Sequence, residues 1–124
     1  MSFFVRGAGE GDTYEFGGAT FTVKASGTDT EGRVGVMEQA APAGLSVPPH
    51  THDGEDEMFY VLEGEVRGFC GDERFTAATG AFIFLPRDVR HRLEVVGDRQ
   101  ARVLTIVGPA KFDALVAAQG TRLT

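Results

Sequence analysis

Apolar positions fall in short runs along the chain, each cut off within a few residues by Gly, Pro or Asp. Thr20-Phe21-Thr22-Val23-Lys24 alternates apolar and polar residues with period two. Parts of 34–38 and 91–95 do the same, which is the pattern of strands with one buried face. Residues 57–62, 65–70, 81–85 and 102–107 are rich enough in β-branched and aromatic side chains to predict strands buried on both faces. Turn signals separate these segments at Gly27, Gly32, Gly44, Gly64, Gly71-Asp72, Gly80 and Gly97-Asp98. Many short strands at this spacing predict an all-β sandwich or barrel. One helix is expected, over about 109–119. Pro109 would sit in its first turn, Phe112, Leu115 and Val116 would share a face, and Gly120 would end it.

Length and composition narrow the picture. The 124 residues with 42% apolar content fit one domain, 1–124, with a substantial core. Twelve Lys and Arg against eighteen Asp and Glu leave a net charge of −6, which argues against a nucleic-acid partner, since such binding draws on clustered cations. The longest apolar runs, 81–85 and 103–107, are far short of the ~20 residues that span a bilayer, so no membrane segment is expected. Met1-Ser2-Phe3-Phe4-Val5-Arg6 lacks the form of a secretory signal, and the single Cys70 cannot close an internal disulfide. Both point to a cytoplasmic location. The glycines of Gly7-Ala8-Gly9-Glu10-Gly11 lack the preceding strand and following helix of a phosphate loop and read as a plain loop.

The candidate chemistry lies around the chain's three histidines. His50 and His52 are two apart, so on an extended backbone both rings project to one side while Thr51 points away. Pro48 and Pro49 fix an extended entry to this pair. The acidic turn Asp53-Gly54-Glu55-Asp56 follows, and it reads as a solvated surface rather than as competing ligands. That turn is long enough to fold Glu57 back beside the histidines, adding a hard oxygen to two neutral nitrogens. His91 opens a later strand behind Gly80 and Pro86.

Gly44-x5-His50-x-His52-x4-Glu57-x6-Gly64 fits the first motif of the cupin superfamily without a gap, and Gly80-x5-Pro86-x-Asp88-x2-His91 resembles the second. The motif regions are 44–64 and 80–95, and with the flanking strands the chain resembles small single-domain cupins over most of its length. Two positions depart from the family pattern. Asp88 stands where Gly is usual, and Asp tolerates a left-handed turn. Val95 stands where Asn is usual, which removes a hydrogen-bonding group but no metal ligand.

The resemblance implies a single-domain β-barrel or jelly roll with a short C-terminal helix, and a metal site formed by His50, His52, Glu57 and His91. It implies one divalent transition ion per chain, among Fe, Mn, Ni, Co, Cu and Zn. Strand parity adds a cavity wall: if Glu57 faces inward so do Phe59 and Val61, and if His91 does so do Leu93 and Val95. Parity is hidden in the run that holds Phe82 and Phe84. An apolar wall favours an aromatic or hydrophobic small molecule over a free sugar. Together with the segment Met58-Phe59-Tyr60-Val61-Leu62-Glu63-Gly64, the ligand set resembles that of quercetin-dioxygenase-like cupins. The implied function is a metal-dependent oxygenase acting on an enol or hydroxy-ketone, with Glu57 also accepting the substrate proton. A metal-dependent isomerase, lyase or cyclase, and a non-catalytic module that binds a small ligand or metal, are the alternatives. Cupins are often dimers, and the apolar Phe3-Phe4-Val5 arm could add to a neighbour's sheet edge, so a homodimer is expected.

Overall fold

The computed structural model describes residues 1–124. Its strands are β1 (Thr13–Phe16), β2 (Ala19–Ala25), β3 (Gly35–Ala41), β4 (Asp56–Glu63), β5 (Glu65–Cys70), β6 (Glu73–Ala78), β7 (Phe82–Leu85), β8 (His91–Val95), β9 (Ala101–Gly108) and β10 (Thr121–Arg122), with one helix, α1 (Phe112–Gln119). The larger sheet has the order β10-β1-β2-β3-β9-β4-β7 and the smaller β6-β5-β8; every named pairing is antiparallel. The two sheets pack face to face as a jelly roll. Met37, Phe59, Val61, Leu85 and Val103 of the larger sheet meet Val66, Ala77 and Val95 of the smaller in one apolar cluster. The sheets are not joined into one hydrogen-bonded ring.

Strands expected to be buried on both faces instead alternate. In β7, Ile83 and Leu85 are buried while Phe82 and Phe84 are 59% and 51% exposed, which fixes the parity that the run conceals. In β4, Glu57, Phe59 and Val61 are buried and Tyr60 and Leu62 exposed. In β5 only Val66 is buried, and β9 alternates buried with half-buried positions throughout. The reason is architectural: each antiparallel sheet packs on one face and turns the other to solvent. The outward apolar residues of β4 and β7 are cross-strand neighbours, Met58 with Phe84 and Tyr60 with Phe82, so they cover one another in part.

The helix starts later than the sequence suggests. Gly108-Pro109 is a cis linkage ahead of it, Lys111 is the N-cap residue, and Gly120 ends the helix as expected. Val116 is buried and Phe112 packs against the core, but Leu115 is exposed. Phe16, Phe21 and Phe112 meet edge to face, with centroids 5.7–6.3 Å apart, and this seats the start of α1 on β1 and β2. The segment ahead of Thr13 forms no strand: Phe3 and Val5 are exposed, and the Arg6 guanidinium stacks on Phe4. The 7–11 loop is held by Lys24 Nζ, which donates to the carbonyls of Gly7 and Glu10.

Candidate metal centre

His50 lies outside any named strand, yet its position is set by β-pairing. The stretch from Leu45 to His50 runs antiparallel to β8: Val95 N donates to Leu45 O, and Val47 N donates to Leu93 O. His50 and His91 then exchange both backbone hydrogen bonds, at 3.0 and 2.9 Å. Two histidines from distant parts of the chain thereby become direct cross-strand partners. Glu57 enters from the other sheet, at the start of β4 between Leu85 of β7 and Val107 of β9.

The turns carrying the two motifs are tied to each other. Asp88 adopts φ +67°, the left-handed conformation its side chain tolerates, and its N–H donates to His52 O while Oδ1 accepts from Gly54 N at 2.8 Å. Gly64, closing the first motif at φ +83°, has room for no side chain, since a Cβ would fall 2.7 Å from the Gln100 carbonyl oxygen. Val95 is buried in the core.

The side chains of His50, His52, Glu57 and His91 converge, each offering one donor atom within 4.8 Å of every other. His91 Nε2 is 3.2 Å from His50 Nε2 and 3.3 Å from Glu57 Oε1, and His52 Nε2 is 3.4 Å from the same oxygen. Metal bonds of about 2.0–2.2 Å meeting at 90–109° would place ligand atoms roughly 3.0–3.4 Å apart, so these three separations are those of atoms able to share one ion.

The other ring nitrogens sharpen this reading. His50 Nδ1 is 2.9 Å from Pro48 O, His91 Nδ1 is 3.3 Å from Val89 O, and His52 Nδ1 is 2.7 Å from Glu55 Oε1. All three partners can only accept, so a neutral ring that donates from Nδ1 to its partner turns a bare Nε2 toward the common point. With both rings in that form, lone pairs 3.2 Å apart on His50 and His91 would repel one another unless a cation lay between them.

Electrostatics follow burial and neighbours. Burial, together with the adjacent His91 and His52, lowers the His50 pKa below the usual histidine value despite the Pro48 carbonyl. Burial also works against charge on His52, but the Glu55 hydrogen bond and the Glu57 and Glu55 charges outweigh it and raise that pKa. Burial pushes the Glu55 carboxyl up; His52 and the Phe112 and Lys111 N–H groups pull it down further, to a net value below the ordinary one.

Glu55 corrects the expectation of a solvated acidic turn. It is 3% exposed, and its second oxygen accepts from Lys111 N and Phe112 N at 2.7 and 2.8 Å. Asp56 does face outward, paired with Arg87, and Asp53 is exposed. The sequence gives one sign of the difference, since Glu55 lies three residues beyond His52. Arg92 pairs with Glu94 and bonds Ser46, and Arg90 lies over the Phe69 ring, so these cations are engaged at the surface. Cys70 is free and half-buried against the core.

A cavity of about 100 Å³ lies beside the group, with His50, Glu57 and His91 in its wall. Phe59 and Leu93 line it, Val95 lines a smaller adjoining void, and Val61 is buried in the core and lines neither. Sequence reasoning missed Phe16, Phe21, Gln39 and Phe112, which also face this cavity, because they lie outside both motifs. Gln39 is a polar residue in a mostly apolar wall, and its Oε1 accepts from the buried Thr105 Oγ1 at 3.1 Å. Outside His50 and His52 a wider cleft of about 570 Å³ opens, bordered by Glu55, Lys111, Phe112 and Leu115.

A jelly roll presenting three imidazoles and one carboxylate at an apolar cavity defines a class of protein able to hold one metal ion. The Cupin domain family matches residues 36–107, more than half of the chain, and the chain belongs to that family. It is 23% identical over 117 residues to quercetin 2,3-dioxygenase of Bacillus subtilis (strain 168), covering 94% of this chain and 34% of that protein. It is 32% identical over 66 residues to polyketide synthase CurC of Streptomyces cyaneus, covering 53% of this chain and 43% of that one. The chain thus spans less than half the length of these two relatives. Among solved structures, KdgF from Halomonas sp. superposes with a TM-score of 0.75 at 19% identity, over 92% of this chain and 98% of that one, which shows the shared fold.

Proposed function

We propose that this cupin is a metal-dependent oxygenase acting on a small apolar or aromatic enol or hydroxy-ketone. The observation that carries the proposal is the convergence of three histidine Nε2 atoms and the Glu57 carboxylate beside an apolar cavity that adjoins an open cleft. The similarity to a quercetin dioxygenase supports the same reading. His50, His52, Glu57 and His91 would hold one divalent transition ion, and the ion when bound supplies Lewis acidity and a template for two reactants. Of Fe, Mn, Ni, Co, Cu and Zn, the donor set admits each.

The chain's own groups do the rest. A chamber of about 100 Å³ is below the roughly 300 Å³ at which drug-sized ligand pockets begin, so the body of an aromatic substrate belongs in the outer cleft. Only its oxygen-bearing edge would pass between His50 and Phe112, which line both spaces. The rings of Phe59 and Phe112 would exclude water, and Glu57 would accept the acidic enol proton on its carboxylate. The test is oxygen uptake by apo chain reloaded with each metal in turn and offered a panel of flavonols and other aromatic enols. Uptake that needs both metal and substrate is expected, along with its loss in Glu57→Gln that still holds the ion. Uptake that survives Glu57→Gln removes the proton-accepting role.

A second reading is a metal-dependent cyclase or related isomerase or lyase that uses no oxygen; the similarity to polyketide synthase CurC, a protein not named for an oxygenase, leans toward it. Substrate turnover that persists without oxygen would select it. Tight ligand binding with no turnover in any metal form would instead select a binding module. Lone Cys70 suits a reducing compartment and supports a cytoplasmic site of action. The exposed Phe3-Phe4-Val5 arm supports a homodimer, for which chromatography of a chain lacking residues 1–10 should show a smaller species. An unchanged dimer would take the arm out of the interface.

A further inference from the structure

We infer that Glu55 is a positioning residue for the metal centre, fixing the orientation and hydrogen placement of His52 by way of the helix that closes the cleft. The inference rests on the metal-site reading above. His50 and His91 direct Nδ1 at backbone carbonyls, which no substitution removes, whereas His52 depends on a side chain. That side chain is held from its far end. One Glu55 oxygen takes the His52 Nδ1 hydrogen at 2.7 Å, and the other takes the Lys111 and Phe112 N–H groups at the start of α1. Buried, with acceptors alone to offer, the carboxylate satisfies all three donors at once. The Phe112 ring meets the His52 ring edge to face, with centroids 5.2 Å apart, so the same helix start steers the imidazole by packing as well.

Glu55→Gln separates this role from mere helix capping. An amide has one accepting and one donating end. With its oxygen kept on the two backbone N–H groups, its NH₂ faces His52 Nδ1, and the ring must accept there. The hydrogen then moves to Nε2 and points at the ion's position. Partners of this kind to metal-bound histidines typically carry about 10–100-fold in affinity.

The experiment measures Mn(II) and Zn(II) dissociation constants by chelator competition, beside the melting temperature of the apo chain, for wild type, Glu55→Gln and Val116→Ala. Val116 is a buried helix residue of the core cluster that lines neither the cavity nor the cleft, so its truncation destabilises the helix and core while leaving the Glu55–His52 hydrogen bond in place. Glu55→Gln should bind about 10–100-fold more weakly, while Val116→Ala melts lower yet keeps its affinity within about twofold. Equal affinities in wild type and Glu55→Gln would overturn the inference, as would a loss in Val116→Ala matching that in Glu55→Gln. A second readout needs no variant: ¹⁵N spectra of neutral imidazoles in apo wild type should show His52 hydrogen-bearing at Nδ1, and a hydrogen on Nε2 refutes the proposal. Wild type that binds neither of these ions nor Fe, Co, Ni or Cu defeats the metal-site reading itself, a result distinct from a Glu55 variant that binds normally.

Discussion

Asp88 shows how one side chain can compensate for an unfavourable backbone. At φ +67° a residue with a Cβ is strained by about 1–2 kcal/mol, and Asp88 offsets this by bonding the Gly54 amide and so tying one motif turn to the other. Asp88→Ala keeps the strain and loses the bond, Asp88→Gly loses both, and Asp88→Asn keeps an acceptor in place. Thermal melting should therefore rank Ala lowest, by about 1–2 kcal/mol, with Asn near wild type; an Ala variant as stable as wild type would contradict this account of the turn. Glu55 supplies a second expectation at this scale. Its folded pKa lies below the ordinary carboxyl value, so its contribution to stability is complete above that value and is lost as pH falls through the depressed one. In the apo chain, the wild-type melting temperature should drop more steeply than that of Glu55→Gln as pH falls from about 4.5. Parallel curves would show that the carboxylate contributes nothing there.

At the scale of elements, β8 is the strand on which the site depends, because it carries His91 and pairs with both β5 and the His50 segment. Gly68 of β5 lies opposite Leu93, where a Cβ would strike the Arg92 carbonyl. Gly68→Ala must push β8 away. A loss of about 1–3 kcal/mol in chemical unfolding is expected, with weakened metal binding beside it; an unchanged midpoint would mean the strand yields at no cost. Much of this layout was legible beforehand. Alternation marked β2, β3 and β8, and Gly64 and Gly80 marked turns, because period-two patterning and left-handed turns are local properties. The polar β6, with only Ala77 fully buried, left too weak a hydrophobic signal, and the two-residue β10 left none. Phe82 and Phe84 could not be oriented because both faces of β7 are apolar, and only pairing with β4 decides which face meets the core. The four ligand candidates were legible through the resemblance of their spacing to the cupin motifs; Glu55 read like the other acids of its turn until α1 folded onto it.

Taken as a whole, the molecule is a scaffold of two packed sheets with a polar cluster held beside an apolar core. Its helix starts beside that cluster, so the site, the cleft and the C-terminal segment form one unit connected through Glu55 and Phe112. The proposed chemistry depends on the cluster gripping a cation. The direct measurement is the metal content of dialysed wild-type and His91→Ala chains after loading with each divalent transition ion in turn. About one ion retained per wild-type chain, and almost none once His91 is removed, is the expected result. No ion in wild type under any loading, or equal retention without His91, would contradict it.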